Sequence, residues 1–240
     1  MGKKFETNEL FDITVITVVY NCVNEISKTI NSVLPLLDNK HELLVIDGGS
    51  TDGTLELLKS YFHPSYRVYS ERDHGIYDAM NKGASLAKGK WITYINSGDL
   101  LIQFPKKMSE EYDAMCFAVR TENGVILPQY NRKLYLCNTI PHQGMYYRKS
   151  KFMGFDLSYK IFSDYDYNLH LYKRGAKLLI GNDVVAFHSL QGVSNSNAAK
   201  HELLELMKRE LCPMQYFLAL FRFRVLGVIT RIQKIVVWLK

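Results

Sequence analysis

The chain has 240 residues, a hydrophobic fraction of 47%, a charged fraction of 22% and a formal net charge of +6. That balance excludes a disordered chain, suits one large α/β domain or a domain with an appendage, and permits a phosphate-bearing ligand, nucleic acid or an anionic membrane as partner. Cys22, Cys116, Cys137 and Cys212 show no C-x-x-C spacing, the opening MGKKFETNELFD has no apolar signal core, and no apolar run reaches roughly 18 residues; the expectation is a reduced, non-secreted chain with no spanning helix.

ITVITVVYN (13–21) is β-branched and apolar almost throughout, the pattern of a strand buried on both faces of a parallel sheet. NEISKTINSVLPLL follows with helical spacing at Ile26, Ile30, Val33 and Leu37. A second strand, 42–47, runs into the Gly-rich GGSTDGT, where Thr51-Asp52 can cap the helix LELLKSYF. YRVYS is a third strand, GIYDAMNKGASLA a helix and KWITYIN a fourth strand. This alternation predicts an α/β fold with a doubly wound, mostly parallel central sheet and helices on both faces. Ligands of such sheets sit beyond the carboxyl ends of the strands, where Tyr20-Asn21, Asp47, Glu71 to Asp73 and Asp99 all fall. NSGD (96–99) is composed as a turn, yet it also delivers a carboxylate to that crevice.

The second half is less regular. YDAMCFAV, GVIL, KLYLC, GMYYR, AKLLI and VVAFH read as short strands, and FSDYDYNLHLYKRG and NAAKHELLELMKREL as helices. From Met214 to the end there are five basic residues (Arg222, Arg224, Arg231, Lys234, Lys240) and no acid. Leu218, Phe221, Val225, Ile229, Ile232 and Val236 make one apolar stripe at steps of three and four. The expectation is one domain over 1–198 in two halves, about 11–100 and about 101–198, which the family resemblance given below makes the donor and acceptor halves of a catalytic domain. C-terminal amphipathic helices over 199–240 would follow, with 214–240 lying on a membrane surface or packed against the domain or a second subunit.

GGSTDGT is not a P-loop, and no G-x-G-x-x-G follows the first strand. The strand ends offer carboxylates and an aromatic, which can accept from base or ribose groups or hold a metal that binds phosphate. With TVVYN (17–21), VIDGGSTDGT (45–54), SERDHGIYDAMNKG (70–83), YINSGD (94–99) and SDYDYNLHL (163–171) in order over about residues 11–190, the chain resembles the family 2 glycosyltransferases of GT-A fold. It is closest in flavour to the bacterial branch that builds surface polysaccharides.

The resemblance implies an inverting transfer of a sugar from a nucleotide-sugar donor, most simply a UDP-sugar, to a glycan or polyprenyl-linked acceptor. The enzyme would work in the cytoplasm, peripheral on the inner face of the plasma membrane. Thr17, Tyr20, Asn21, Asp47, Asp73, Asp78, Asn81 and Ser97 would serve the donor, with Tyr20 at the nucleobase and Asp47 accepting from a uracil-type imide. Asp52 reads equally as donor contact and helix cap. Asp99 would hold Mg²⁺ or Mn²⁺, with His188 as a further candidate ligand, although Asn96 and Gly98 stand where the fuller pattern has acids. Asp164 would be the general base, with Asp166 the alternative and Ser163 in place of an acid. His142 and Gln143 would lie near the acceptor or the diphosphate. Two other readings remain. One is a nucleotidyltransferase, against which stands the lack of a basic Gly-rich N-terminal loop; the other is a catalytically impaired sugar-nucleotide-binding or scaffold protein of the same fold. Nucleic acid is not expected as a partner, because no aromatic-basic RNA motif occurs.

Overall fold

The computed structural model of the chain describes residues 11–189 and 197–221. Its first half runs β1 (Phe11–Val19), α1 (Ile26–Val33), β2 (His41–Asp47), α2 (Thr54–Lys59), β3 (Tyr66–Ser70), α3 (Ile76–Leu86) and β4 (Gly89–Tyr94). Its second half runs β5 (Leu100–Leu101), β6 (Ala114–Thr121), β7 (Gly124–Ile126), β8 (Met145–Arg148), α4 (Ser163–Lys173), β9 (Leu178–Phe187) and α5 (Asn197–Glu210). A further helical stretch covers 213–221. The strands form one sheet in the order β3-β2-β1-β4-β8-β6-β9-β5, with β7 added to β6. β3, β2, β1 and β4 are parallel, as the continuous apolar runs imply. Beyond β4 the sheet is mixed: β8 is antiparallel to β4 and β6, whereas β6 and β9 are parallel. The expected mostly parallel sheet is therefore realised in the first half only.

Alternation along the strands divides the core. Ile16, Val18, Leu44 and Ile46 face one side, packed with Tyr77, Met80, Tyr165, Leu169, Leu206 and Met207 from α3, α4 and α5. Ile13, Val15, Val19, Leu43 and Val45 face the other, against Ile26, Ile30 and Val33 of α1 and Leu58 of α2. The buried residues of α1 (Ile26, Thr29, Ile30, Val33) recur at steps of three and four, which is why a short helix can bury one stripe.

Two local expectations are revised. KLYLC is not a strand: Asn131 accepts from Lys133 N (2.9 Å) and turns 132–135 into a single 3₁₀ turn that drops Leu134 into the core. AKLLI and VVAFH are one strand, β9, whose register against β6 shifts between Cys116 and Val119. Residues 199–211 pack on the domain: Leu206, Met207 and Leu211 share the core that holds Ile16 and Tyr94, as does Ala219 beyond them. In the tail, Leu218 and Phe221 are described, whereas Val225, Ile229, Ile232 and Val236 lie outside the described residues. No helix among the described residues is long and apolar enough to cross a membrane.

Candidate active site

The chain leaves β1 toward β2 and leaves β4 toward the other end of the sheet, so the connections of these two neighbours diverge at their carboxyl ends, the place where such sheets open a crevice. The loops after β1, β2, β3 and β4 line it. Tyr20, exposed, and Asn21, with φ of +50°, follow β1 directly. Asn21 ties this loop to the next: its N–H donates to Ser50 Oγ (2.8 Å) and its Oδ1 accepts from Thr51 N (2.9 Å). Asp52 accepts from Thr54 N (3.0 Å), Thr54 Oγ1 (2.5 Å) and Val23 N (3.1 Å), which makes it a brace for the start of α2.

Asp47 ends β2 fully buried. Its carboxylate accepts from Gly49 N, Ser50 N (3.2 Å each) and Ser70 Oγ (2.6 Å), so it shapes the GGS loop and joins it to β3. Asp73 packs directly on that loop: a side chain at Gly48 would collide with its carboxylate, which explains the glycine. Asp73 also accepts from Gly75 N (3.0 Å). Asp78 accepts from His74 N (3.0 Å) and pairs with Lys82 (3.4 Å), holding the loop ahead of α3. Asn81 is a tether, accepting from Phe155 N (2.8 Å) and donating to Phe155 O (2.9 Å). Thr17 lies two residues inside the end of β1, fully buried. Of the expected donor residues, Tyr20, Asn21 and Asp73 thus stand at the crevice. Asp47, Asp78 and Asn81 build its walls, and Thr17 lies beneath it.

NSGD is both a turn and a delivery. Asp99 N donates to Asn96 O (2.9 Å), closing a four-residue turn, and Gly98 has φ of +95°, as the third residue of a type II turn requires. That backbone explains why a glycine occupies a position where an acid is expected: an acidic side chain there would be strained. Thr29 of α1 fixes the turn, donating to Asp99 O (2.8 Å) and accepting from Gly98 N (3.1 Å). The two-residue β5 then pairs Leu100 with Phe187 and Leu101 with Ala186. The residues just outside that antiparallel pair are Asp99 and His188, and they meet: His188 Nδ1 is 2.8 Å from Asp99 Oδ1. This hydrogen bond raises the His188 pKa, against the opposing effect of burial.

Gln143, buried, and His142 complete the cluster from the turn before β8. Gln143 Nε2 donates to Asp99 Oδ2 (3.0 Å). His142 Nε2 lies 3.4 Å from Asn96 Nδ2, and its Nδ1 lies 3.8 Å from Asp164 Oδ2. Asp164, in the first turn of α4, also accepts from the Tyr77 hydroxyl (2.9 Å). Asp99, His188, Gln143, His142 and Asp164, read from four separate motifs, are therefore contiguous. Asn96 Oδ1 and Ser97 Oγ, both in the turn, and Ser163 Oγ are buried without a hydrogen-bond partner. A carboxylate, an imidazole and orphaned oxygens suit a hard divalent cation with phosphate oxygens in its shell, so the residues fit the group the resemblance implies.

The sequence profile for "Glycosyl transferase family 2" matches residues 14–176. The chain belongs to this family. Among its relatives, a PGL/p-HBAD biosynthesis glycosyltransferase of Mycobacterium tuberculosis is 28% identical over 188 residues, covering 69% of this chain and 72% of the relative. Chondroitin synthase of Pasteurella multocida is 33% identical over 91 residues, 37% of this chain and 9% of that protein. The crystal structure of S. aureus TarS 1-349 in complex with UDP-GlcNAc superposes with a TM-score of 0.65 at 18% identity, over 82% of this chain and 64% of that one. The GT-A fold is thereby established.

In this family 2 glycosyltransferase the second acid of SDYD points elsewhere. Asp166 lies in an ion network between α4 and α5: Arg209 Nη2 is 3.2 Å from Asp166 Oδ1 and 3.3 Å from Asp156 Oδ2, and His170 Nδ1 is 3.4 Å from Asp166 Oδ2. Glu210 joins through Lys173 (2.6 Å) and His170 (3.5 Å). Asp166, His170 and Glu210 form the described cluster of acid and imidazole groups nearest to a metal-ligand arrangement, but Arg209 and Lys173 already supply its cations. Neither Asp164 nor Asp166 caps α4; Glu202 of α5 instead holds the segment ahead of it, accepting from Lys160, Ile161 and Phe162 N (2.7–2.9 Å). Sequence reasoning missed Glu202, Thr29 and Tyr77. Only Tyr77 lay inside a motif already singled out.

Proposed function

We propose that the protein transfers a sugar from a UDP-sugar to a glycan or polyprenyl-linked acceptor with inversion, in bacterial cell-surface polysaccharide biosynthesis. One observation carries this reading: the Asp99 turn and the Asp164 helix start are separated by a single imidazole, His142. The leaving diphosphate and the attacking hydroxyl must lie on opposite sides of one anomeric carbon, and two carboxylate sites about one side chain apart can serve them.

Tyr20, Asn21 and Asp73 hold the nucleoside end above the GGS loop. Asp99 and His188 would hold a divalent cation, Mg²⁺ or Mn²⁺, which when bound neutralises charge on the departing UDP. Asp164 accepts the proton of the acceptor hydroxyl as that oxygen bonds to the anomeric carbon and the bond to the diphosphate oxygen breaks. A single displacement of this kind inverts the centre. TarS was crystallised with UDP and with UDP-GlcNAc, which supports the donor class, and the likeness to a PGL/p-HBAD biosynthesis glycosyltransferase and to chondroitin synthase supports a glycan or glycoconjugate product.

The acceptor end favours a membrane surface on the cytoplasmic side. In the helix at 213–221, Ala219 and Tyr216 pack on the core, while Met214, Phe217, Leu218 and Phe221, spaced three, one and three apart, are exposed. The chain that follows carries Arg222, Arg224, Arg231, Lys234 and Lys240 and no acid. An apolar face continued by basic charge fits an anionic lipid interface.

The deciding experiment is a panel of UDP-sugars assayed for hydrolysis and for transfer to lipid-linked glycans, with Mn²⁺ and with EDTA, for wild type and Asp99→Ala. Metal-dependent turnover that Asp99→Ala loses by orders of magnitude supports the reading. Full activity of Asp99→Ala in excess EDTA overturns it.

A further inference from the structure

Around an ionised Asp99 carboxylate the hydrogens cannot all be placed. Asp99 Oδ1 is 2.8 Å from His188 Nδ1 and accepts from Ser189 N (3.2 Å); Oδ2 is 3.0 Å from Gln143 Nε2. The same Gln143 Nε2 lies 2.7 Å from His188 Nδ1. An ionised carboxylate only accepts, an amide nitrogen only donates, and a ring nitrogen does one or the other. If His188 Nδ1 carries a proton, it donates to Asp99 and meets the Gln143 amide donor to donor. If Nδ1 is bare, it accepts from Gln143 and meets Asp99 acceptor to acceptor. A proton on Asp99 Oδ1 leaves two donors competing for the one lone pair of Nδ1. Turning the Gln143 amide over sets its oxygen against an ionised Asp99 Oδ2. With Asp99 ionised, every assignment leaves one short repulsive contact, in a place where Asp99 and Gln143 are buried; without a cation, only a neutral acid that donates from Oδ2 to the turned amide, with His188 Nδ1 protonated, escapes it.

A divalent cation resolves this conflict, because all three groups can then present lone pairs to one centre: the Asp99 carboxylate, bare His188 Nδ1 and the Gln143 amide oxygen after a half-turn of the amide. An amide oxygen is a hard ligand of the kind Mg²⁺ and Mn²⁺ accept. We propose that Gln143 is a third protein ligand of the cation held at Asp99, binding through its side-chain oxygen. This rests on the metal-dependent reading above. It adds a neutral oxygen donor to a site that one carboxylate and one imidazole would otherwise supply alone, and it assigns Gln143 to the metal rather than to the acceptor.

The test reads Mn²⁺ binding directly, by electron paramagnetic resonance of free Mn²⁺ during titration in the presence of UDP. Wild type, Asp99→Ala, Gln143→Leu and Gln143→Glu are compared, and UDP affinity is measured separately in EDTA. Gln143→Leu keeps the volume and removes the ligand, so its Mn²⁺ affinity should fall about tenfold or more, with UDP binding in EDTA unchanged. Gln143→Glu sets a second carboxylate beside Asp99, so it should bind Mn²⁺ more tightly than wild type, and its melting temperature should rise more on Mn²⁺ addition. If wild type binds Mn²⁺, Asp99→Ala loses it and Gln143→Leu keeps it, the assignment of Gln143 is wrong and the metal site stands. If wild type takes up no Mn²⁺ with UDP, the metal reading itself falls.

Discussion

Tyr77→Phe removes one oxygen and tests how Asp164, the proposed base, is held. The Tyr77 ring is buried against Phe155, with centroids 5.3 Å apart, and a phenylalanine keeps that packing. Its hydroxyl is 2.9 Å from Asp164 Oδ1 and 2.6 Å from Ile161 O. One proton serves both acceptors, so the phenol pins the Asp164 carboxylate by one oxygen and leaves Oδ2 toward His142, 3.8 Å away. A hydrogen bond to a charged group contributes about 1.5 to 3 kcal/mol. About 1.4 kcal/mol corresponds to tenfold in rate, so kcat for transfer should fall by about 10- to 100-fold if that bond sets the attack geometry. Donor KM and UDP affinity should not change, because Tyr77 touches no residue at the nucleotide end. Stability should fall by about 1.5 to 3 kcal/mol for the same lost bond, a drop in melting temperature of about 3 to 12 °C for a chain of this size. The decisive measurement is the double variant with Asp164→Asn. Residues acting through one another are non-additive, so Tyr77→Phe should cost little once Asp164 is gone. A Tyr77→Phe enzyme with wild-type kcat, or one whose loss multiplies in full with that of Asp164→Asn, refutes the positioning role.

Asp164→Asn should retain UDP binding and lose transfer, whereas Asp166→Asn should retain transfer and melt a few degrees lower; the opposite pattern in transfer assays would mean the register within SDYD is misassigned. Phe217→Glu with Phe221→Glu, both at exposed positions, should abolish sedimentation with anionic liposomes at low salt while leaving melting temperature and donor hydrolysis unchanged; equal sedimentation of wild type and variant would remove the membrane role. Burial works to raise the Glu210 pKa, but Lys173, His170 and Arg209 outweigh it and hold the carboxyl below its ordinary 4.5. A depressed carboxylate stabilises the fold above its unfolded pKa and loses that contribution as pH falls through the folded value. The melting-temperature gap between wild type and Glu210→Gln should therefore be open at neutral pH and close below about pH 4.5; a gap that persists in acid would show that packing, not charge, carries the effect.

The half of the fold that was legible in the sequence is the half whose strands are buried on both faces. ITVITVVYN and ELLVID leave no polar face to confuse the period, and β1, β2, β3 and β4 fall within two residues of their expected limits. The NSGD stretch was legible twice over, because the turn and the acid it delivers to the crevice are the same four residues. KLYLC was misread because its apolar residues alternate as a strand's do, while the decision lay with Asn131, outside the run. The contact between Asp99 and His188 could be suspected only by resemblance. Its physical cause is the register of a two-residue strand, too short to announce itself.

What no local pattern carries is the choice between Asp164 and Asp166. Two residues apart on a helix, they point about 200° apart, so only one can face the crevice, and the rotation of α4 decides which. That rotation is set from α5: Arg209 draws Asp166 outward, and Glu202 holds the three amides ahead of the helix. Tyr77 receives Asp164 on the other side, 87 positions away in the chain. Burial raises the Asp166 pKa, the usual signature sought for a catalytic carboxyl. Here that signature belongs to the anchor. A carboxyl buried to fix a helix is perturbed by the same desolvation as one buried to take a proton, and the difference lies in what it faces. Asp166 faces arginine and histidine on a neighbouring helix, whereas Asp164 faces the imidazole that borders the Asp99 turn.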